Sequence, residues 1–154
     1  AYTVMNEFRD YEDSREMSER IFEFYGSANN RDGLAVRAAA KSLIERPEEN
    51  KILIVLSDGR PNDIIAGEDS VKSRKKSEQP KKKEPYCLEY AVKDTATEIR
   101  KLRNQKIAVL GVFAGEEEDL QAEKRIFGKD FAYIREISKF ANVVGRYLRK
   151  QITL

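Results

Sequence analysis

The sequence predicts an α/β protein in three layers, with a mostly parallel sheet flanked by helices on both faces. The predicted strands 51–57 and 106–114 are almost wholly apolar, without alternation, from Ile52 to Leu56 and from Ile107 to Ala114, which is typical of strands that are covered on both faces. Helical patterns separate the predicted strands, so the order from Gly33 onward is α, β, α, β, α, β, α. This alternation favours parallel strands joined by right-handed helical crossovers.

The first 32 residues predict a short strand over 2–8, a helix over 13–25 and a loop over 26–32 that is rich in Gly, Asn and Asp. The apolar residues of this helix recur at helical spacing along one stripe. They are Met17, Ile21, Phe24 and Tyr25.

The later elements follow the same periodicity rules. In chain order they are a helix over 33–46, a strand over 51–57, a helix over 87–104, a strand over 106–114, a helix over 116–128, a strand over 131–135 and a helix over 139–152. The 154 residues suit one domain, which we expect to span 1–154.

A basic insertion, predicted to be flexible, interrupts this domain over 63–85. Within it, residues 71–85 hold seven Lys or Arg and two Glu, so the local charge is +5, while the net charge of the whole chain is only +2. A solvated linker is one interpretation, and weak contact with nucleic acid or another anionic surface is the alternative. The basic patch would consist of Lys72, Arg74, Lys75, Lys76, Lys81, Lys82 and Lys83.

The composition excludes several kinds of site. There is no histidine, which removes the usual general base near neutral pH and all imidazole metal ligands. A lone cysteine, Cys87, cannot form an internal disulfide or a thiolate zinc cluster. Neither of the glycine-rich nucleotide-binding motifs, G-x-G-x-x-G after a strand and G-x-x-x-x-G-K-[ST], is present. No apolar run approaches the ~20 residues of a membrane-spanning helix. The sequence therefore predicts a protein that is not an enzyme and has no catalytic residues.

An oxygen-rich site is predicted where the strand 51–57 ends. In parallel sheets ligands bind at the carboxyl ends of the strands, and Asp58 follows this strand directly. Magnesium prefers an octahedral shell of oxygen ligands. Oxygens of this kind are available if the loop 26–32 lies beside the strand: they belong to Asp58, Ser57, Asn29, Asn30 and Asp32. The alternative is that Asp58 only forms a turn and Asp32 only caps a helix.

The segment "ILIVLSDGRPND" resembles the strand-and-loop signature of von Willebrand factor type A domains. The resemblance is to the bacterial subgroup found in nitric oxide reductase activation proteins and in the cobaltochelatase accessory subunit. Three further segments resemble this family in the same order: "NRDGLAVRAAAKSL", "YAVKDTATEIRKLRNQKIAVLGVFAGEEED" and "RIFGKDFAYI".

The resemblance implies a magnesium site built from three loops. Asp58 matches the aspartate of the third loop, and Asn30 stands where the second loop has a threonine. Asp58 would be the principal ligand, with Ser57 or Asn30 in support. The D-x-S-x-S of the first loop is missing, so we expect the first two strands of the family to lie upstream of Ala1. Their absence would leave an open sheet edge, through which two copies of the chain could pair as a homodimer.

The resemblance also implies a function. The chain is expected to be a non-catalytic, cytoplasmic protein-interaction module that binds a protein partner through Mg²⁺, with no small-molecule substrate. The partner is expected to be a MoxR-type AAA+ ATPase, which this module would assist in metal insertion or enzyme activation. Contacts to this partner are assigned to the rim of the site, at Arg60, Asp63 and Asp32. A scaffold that binds no metal is the alternative.

Overall fold

The computed structural model describes residues 30–63 and 88–152. Their α-helices and β-strands are α1 (Asp32–Glu45), β1 (Ile52–Ser57), α2 (Leu88–Asn104), β2 (Ala108–Phe113), α3 (Leu120–Phe127), β3 (Phe131–Tyr133) and α4 (Phe140–Ile152). One-turn 3-10 helices, Glu117–Asp119 and Ile137–Lys139, precede α3 and α4.

The three strands form a parallel sheet in the order β1-β2-β3. Ile52 of β1 pairs with Ala108 of β2, and the register continues to Ser57 opposite Phe113. Because the strands are parallel and in step, β1 and β2 end at the same edge of the sheet. The predicted fold class, a parallel sheet flanked by helices, is confirmed.

One face of the sheet is covered by α1, α2 and α3. Side chains that alternate along the strands, such as Leu53 and Val55, point to this face because successive residues of a strand point in opposite directions. They pack on a cluster of buried side chains that includes Val36, Ala40, Val92, Ile99, Leu102, Val109, Ile126 and Phe127.

The opposite face is covered by α4. Leu110 and Val112 of β2 and Ile134 are buried here, with partly buried Ile54 packed against them. The residues of α4 that contact this cluster are Phe140, Val143, Val144 and Tyr147. The continuous apolar character of β1 and β2 thus reflects two covered faces.

The strand β1 is less buried than its sequence suggests. None of its six residues is fully buried, and Leu56 is 50% exposed, whereas five of the six residues of β2 are buried. Among the described residues β1 pairs only with β2. Its other edge is therefore open within this part of the chain.

A glycine in the central strand lets α3 pack closely. A Cβ at Gly111 would stand 2.1 Å from Cγ of Phe127, and Phe127 itself is 2% exposed. The ring thus occupies the space that a side chain on Gly111 would need. This contact fixes how far α3 lies from the sheet.

The predicted elements from Gly33 onward are present, with changed ends. The predicted helix over 116–128 consists of a 3-10 turn followed by α3, and the strand over 131–135 ends at Tyr133. The strand predicted at 2–8, the helix predicted at 13–25 and Cys87 lie outside the described residues, as does the insertion apart from Asp63. No helix in the described part of the chain has the length and apolar character needed to cross a membrane.

Candidate functional site

The carboxyl ends of β1 and β2 bring three loops together. The backbone N–H of Ala114, after β2, donates to the carbonyl of Ser57 at 2.8 Å. The residues just before α1 approach from the other side, where Asn30 forms an isolated antiparallel bridge with Asn62. Its N–H donates to the Asn62 carbonyl at 3.0 Å. The structure thus places Asn30 beside the loop that follows Asp58, which was the condition for a shared site.

A groove of about 330 Å³ runs between α1 and β1. Most of its lining is apolar and comes from Ala35, Val36, Ala39 and residues 53–56. Its polar lining comes from the start of α1 and the end of β1: Asn30, Asp32, Ser57 and Asp58. The groove therefore combines an apolar channel with an oxygen-rich region.

Two carboxylates, Asp32 and Asp58, are the strongest oxygen donors of this groove. The Asp58 side chain makes no hydrogen bond or ion pair within the described residues, and Asp58 is exposed. Burial raises the pKa of Asp32, and the nearby charge of Asp58 raises it further, although a hydrogen bond from Asn30 opposes both effects. The mutual repulsion of these carboxylates is what a bound cation would relieve.

The other two predicted ligands are used within the protein. The side-chain amide of Asn30 donates to Oδ1 of Asp32 at 2.6 Å, and its oxygen accepts from the Asn62 N–H at 3.3 Å. The Ser57 hydroxyl donates to the carbonyl of Gly59 at 2.7 Å. Asn30 therefore orients Asp32, and Ser57 closes the turn that carries Asp58. Their assignment as metal ligands stays a prediction.

The residues assigned to the rim are held in internal ion pairs. Arg60 pairs through Nε with the Asp119 carboxylate. Asp63 is 9% exposed and pairs with Arg31. Asp63 is thus buried instead of exposed on a rim, because its carboxylate holds the loop after β1 to the residues preceding α1. Asp32 lies in the groove with Asp58.

Glu123 is a charged residue near the site that the sequence analysis did not single out. It is 1% exposed, and neither of its carboxylate oxygens has a hydrogen-bond partner. Burial raises its pKa to about 8, and the charges of Asp32, Asp119 and Asp58 add to this effect. Its spacing of three and four residues from Ile126 and Phe127 places it on the apolar face of α3. That spacing was the signal available in the sequence.

The donor set fits a hard divalent cation in part. Carboxylate, amide and hydroxyl oxygens are the ligands that Mg²⁺ accepts. However, no three His, Cys, Asp or Glu side chains in the described ranges are grouped so that they could hold a metal ion. Asp32 and Asp58 would thus need further ligands from water, a partner or other residues. The basic patch Lys72–Lys83 lies outside the described residues.

Comparisons with known proteins agree with this fold. Residues 10–76 match the family described as "Cobalamin biosynthesis protein CobT VWA domain". A protein of Bacillus subtilis (strain 168) described as "Uncharacterized protein YojO" is 25% identical over 137 residues. That alignment covers 84% of this chain but only 18% of the relative. No solved structure matches the chain. The family match and the helix-flanked parallel sheet together support a von Willebrand A-like domain.

Proposed function

We propose that this chain is a protein-interaction module that binds its partner through a divalent cation held at Asp58 and Asp32. The observation that carries the proposal is the Asp58 carboxylate, which is exposed and unpaired within the described residues beside the Asp32 carboxylate. Both side chains line one groove. This groove lies at the carboxyl edge of the parallel sheet, which is where such folds bind ligands.

The residues of the proposed site have different roles. Asp58 and Asp32 supply negative charge, Asn30 orients Asp32, and Ser57 holds the turn after β1. Mg²⁺ bound there would use a carboxylate oxygen of the partner as a further ligand. The neighbouring acid Glu123 has no oxygen exposed to solvent, and the proposal gives no chemical step to any side chain.

The partner is proposed from resemblance. The CobT description of the matched family names cobalamin biosynthesis, and the motifs resemble the subgroup that contains cobaltochelatase and nitric oxide reductase accessory proteins. We therefore propose a MoxR-type AAA+ ATPase as the partner and metal insertion or enzyme activation as the process. The chain spans less than a fifth of the relative that it matches, so it is proposed to act within a longer polypeptide.

Calorimetric titration with Mg²⁺ tests the cation site. The full-length protein is compared with Asp58→Ala and with Glu118→Ala, which removes an exposed acid from the 3-10 helix before α3. We expect Asp58→Ala to lose at least about tenfold in affinity, equivalent to 1.4 kcal/mol, and Glu118→Ala to change it little. Equal titration curves for the protein and Asp58→Ala would favour the metal-free scaffold.

The partner is tested by mixing the protein with a MoxR-type ATPase from the same organism. Size-exclusion chromatography with light scattering should show a complex in Mg²⁺ that dissociates in EDTA and does not form with Asp58→Ala. A complex that survives both changes would show that binding does not use the cation. The same measurement on the protein alone gives its oligomeric state, since a homodimer through the β1 edge stays a prediction.

A further inference from the structure

The loop after β2 packs directly on the backbone of Asp58. A Cβ at Gly115 would stand 1.9 Å from the carbonyl oxygen of Asp58 and 2.6 Å from its carbonyl carbon. The adjacent N–H of Ala114 donates to the carbonyl of Ser57 at 2.8 Å. The position of Asp58 is therefore coupled to the residues that follow β2.

An ion pair between Arg60 and Asp119 also joins the segments that follow β1 and β2. Oδ1 of Asp119 accepts from Nε of Arg60, and Oδ2 accepts from the backbone N–H of Arg60 at 3.2 Å. The Asp119 side chain is 15% exposed, against 36% for Arg60. Asp119 thus uses both of its oxygens on one residue, in a partly buried setting where ion pairs are less screened than at the surface.

Arg60 would interfere with a cation at Asp58 if it were not held in this way. It stands two residues after Asp58 in the chain, and an arginine side chain is long and has several rotatable bonds. A guanidinium forms strong charge-assisted hydrogen bonds with any available carboxylate. It would occupy the Asp58 oxygens and would also repel a second positive charge nearby.

We propose that Asp119 is a positioning residue that keeps Arg60 away from Asp58, so that the Asp58 carboxylate stays free to bind a divalent cation. The inference rests on the proposed function, since it concerns the same cation site. It assigns the ion pair between Arg60 and Asp119 to the site and not only to the stability of the loops.

Calorimetric Mg²⁺ titration of four full-length proteins tests this role: the unchanged protein, Asp119→Asn, Arg60→Gln and the double variant. We expect Asp119→Asn to weaken Mg²⁺ binding about tenfold, the effect of an energy change near 1.4 kcal/mol. Arg60→Gln alone should change the affinity by less than about threefold, because Asp119 already holds this side chain. The double variant should recover the affinity of the unchanged protein to within about threefold.

Glu118→Gln is the matched control, because it removes the same charge from an exposed neighbour of Asp119. It measures the long-range electrostatic effect alone and should change affinity by less than about threefold. A crystal structure of metal-free Asp119→Asn gives an independent readout. In it the Arg60 guanidinium should lie within hydrogen-bond distance of the Asp58 carboxylate.

Three results would overturn the inference. The first is an equal effect of Arg60→Gln in the unchanged and the Asp119→Asn proteins, since additivity means that the residues act only through long-range charge. The second is a metal-free Asp119→Asn structure in which Arg60 stays away from Asp58. The third, no Mg²⁺ binding by the unchanged protein, would overturn the proposed function as well, whereas either of the first two would overturn only this inference.

Discussion

Replacing the buried Glu123 by glutamine should change how the stability of the protein depends on pH. The carboxyl is 1% exposed with no hydrogen-bond partner, and its pKa is about 8 instead of the ordinary 4.5. Between these values the unfolded chain has released this proton while the folded protein keeps it. The unfolded state therefore binds fewer protons, and the free energy of unfolding falls as the pH rises.

The magnitude follows from the size of this interval. Each pH unit within it lowers the free energy of unfolding by about 1.4 kcal/mol. From pH 5 to pH 8, ionisation of Glu123 should thus lower the free energy of unfolding by up to about 4 kcal/mol, a loss that Glu123→Gln should not show. Glutamine and a protonated glutamate both carry polar atoms, so any constant difference between the two proteins cancels from the slope.

Urea unfolding followed by circular dichroism at pH 5, 6, 7 and 8 measures this difference. The advantage of Glu123→Gln over the unchanged protein should grow with pH. Glu118→Gln removes a carboxylate from an exposed position of the 3-10 helix before α3, and its difference from the unchanged protein should stay nearly constant. If the curves of Glu123→Gln and the unchanged protein run parallel from pH 5 to 8, the buried carboxyl does not hold a proton and the reasoning is wrong.

Three further changes test packing around the sheet. Gly111→Ala would place its Cβ 2.1 Å from the Phe127 ring, so it should lower the free energy of unfolding by about 1–3 kcal/mol. In urea unfolding, adding Phe127→Leu should recover part of this loss, and a Gly111→Ala protein of unchanged stability would contradict the close packing of α3. The Cβ of Gly115→Ala would stand 1.9 Å from the backbone oxygen of Asp58, so thermal unfolding should show a loss of stability of similar size. An unchanged melting temperature would mean that the loops after β1 and β2 are not in contact. Ile99→Ala in α2, where Ile99 is 0% exposed, should cost about 2–5 kcal/mol in urea unfolding, and a loss below 1 kcal/mol would place this residue outside the core.

The sequence was sufficient for the order and type of the described elements because their periodicity is strong. The helix α2 carries Val92, Thr95, Ile99 and Leu102 at alternating spacings of three and four, and all four are buried. Such a stripe depends only on the geometry of a single helix. Element ends were less accurate, as in β3, because they depend on hydrogen bonds to β2 and not on local pattern.

The burial of individual charged residues was not predictable in the same way. Asp63 follows a proline and a polar residue, as an exposed loop residue would, yet it is 9% exposed and paired with Arg31, 32 residues earlier. Glu123 follows the acidic run 116–119 by four residues, and the members of that run at 116–118 are exposed. Local sequence does not specify which neighbours from other elements approach such a residue.

What the sequence determined by itself is a parallel α/β sheet that delivers Asp58 to its carboxyl edge, because an apolar strand and the turn after it are local features. Only the tertiary structure decided which side chains surround that carboxylate. It brought Asp32 beside Asp58, engaged Asn30 and Ser57 in internal hydrogen bonds, and paired Arg60 with Asp119. The physical reason is that these residues belong to three segments far apart in the chain, whose meeting depends on the register of β1 and β2 and on the packing of α1 against the sheet.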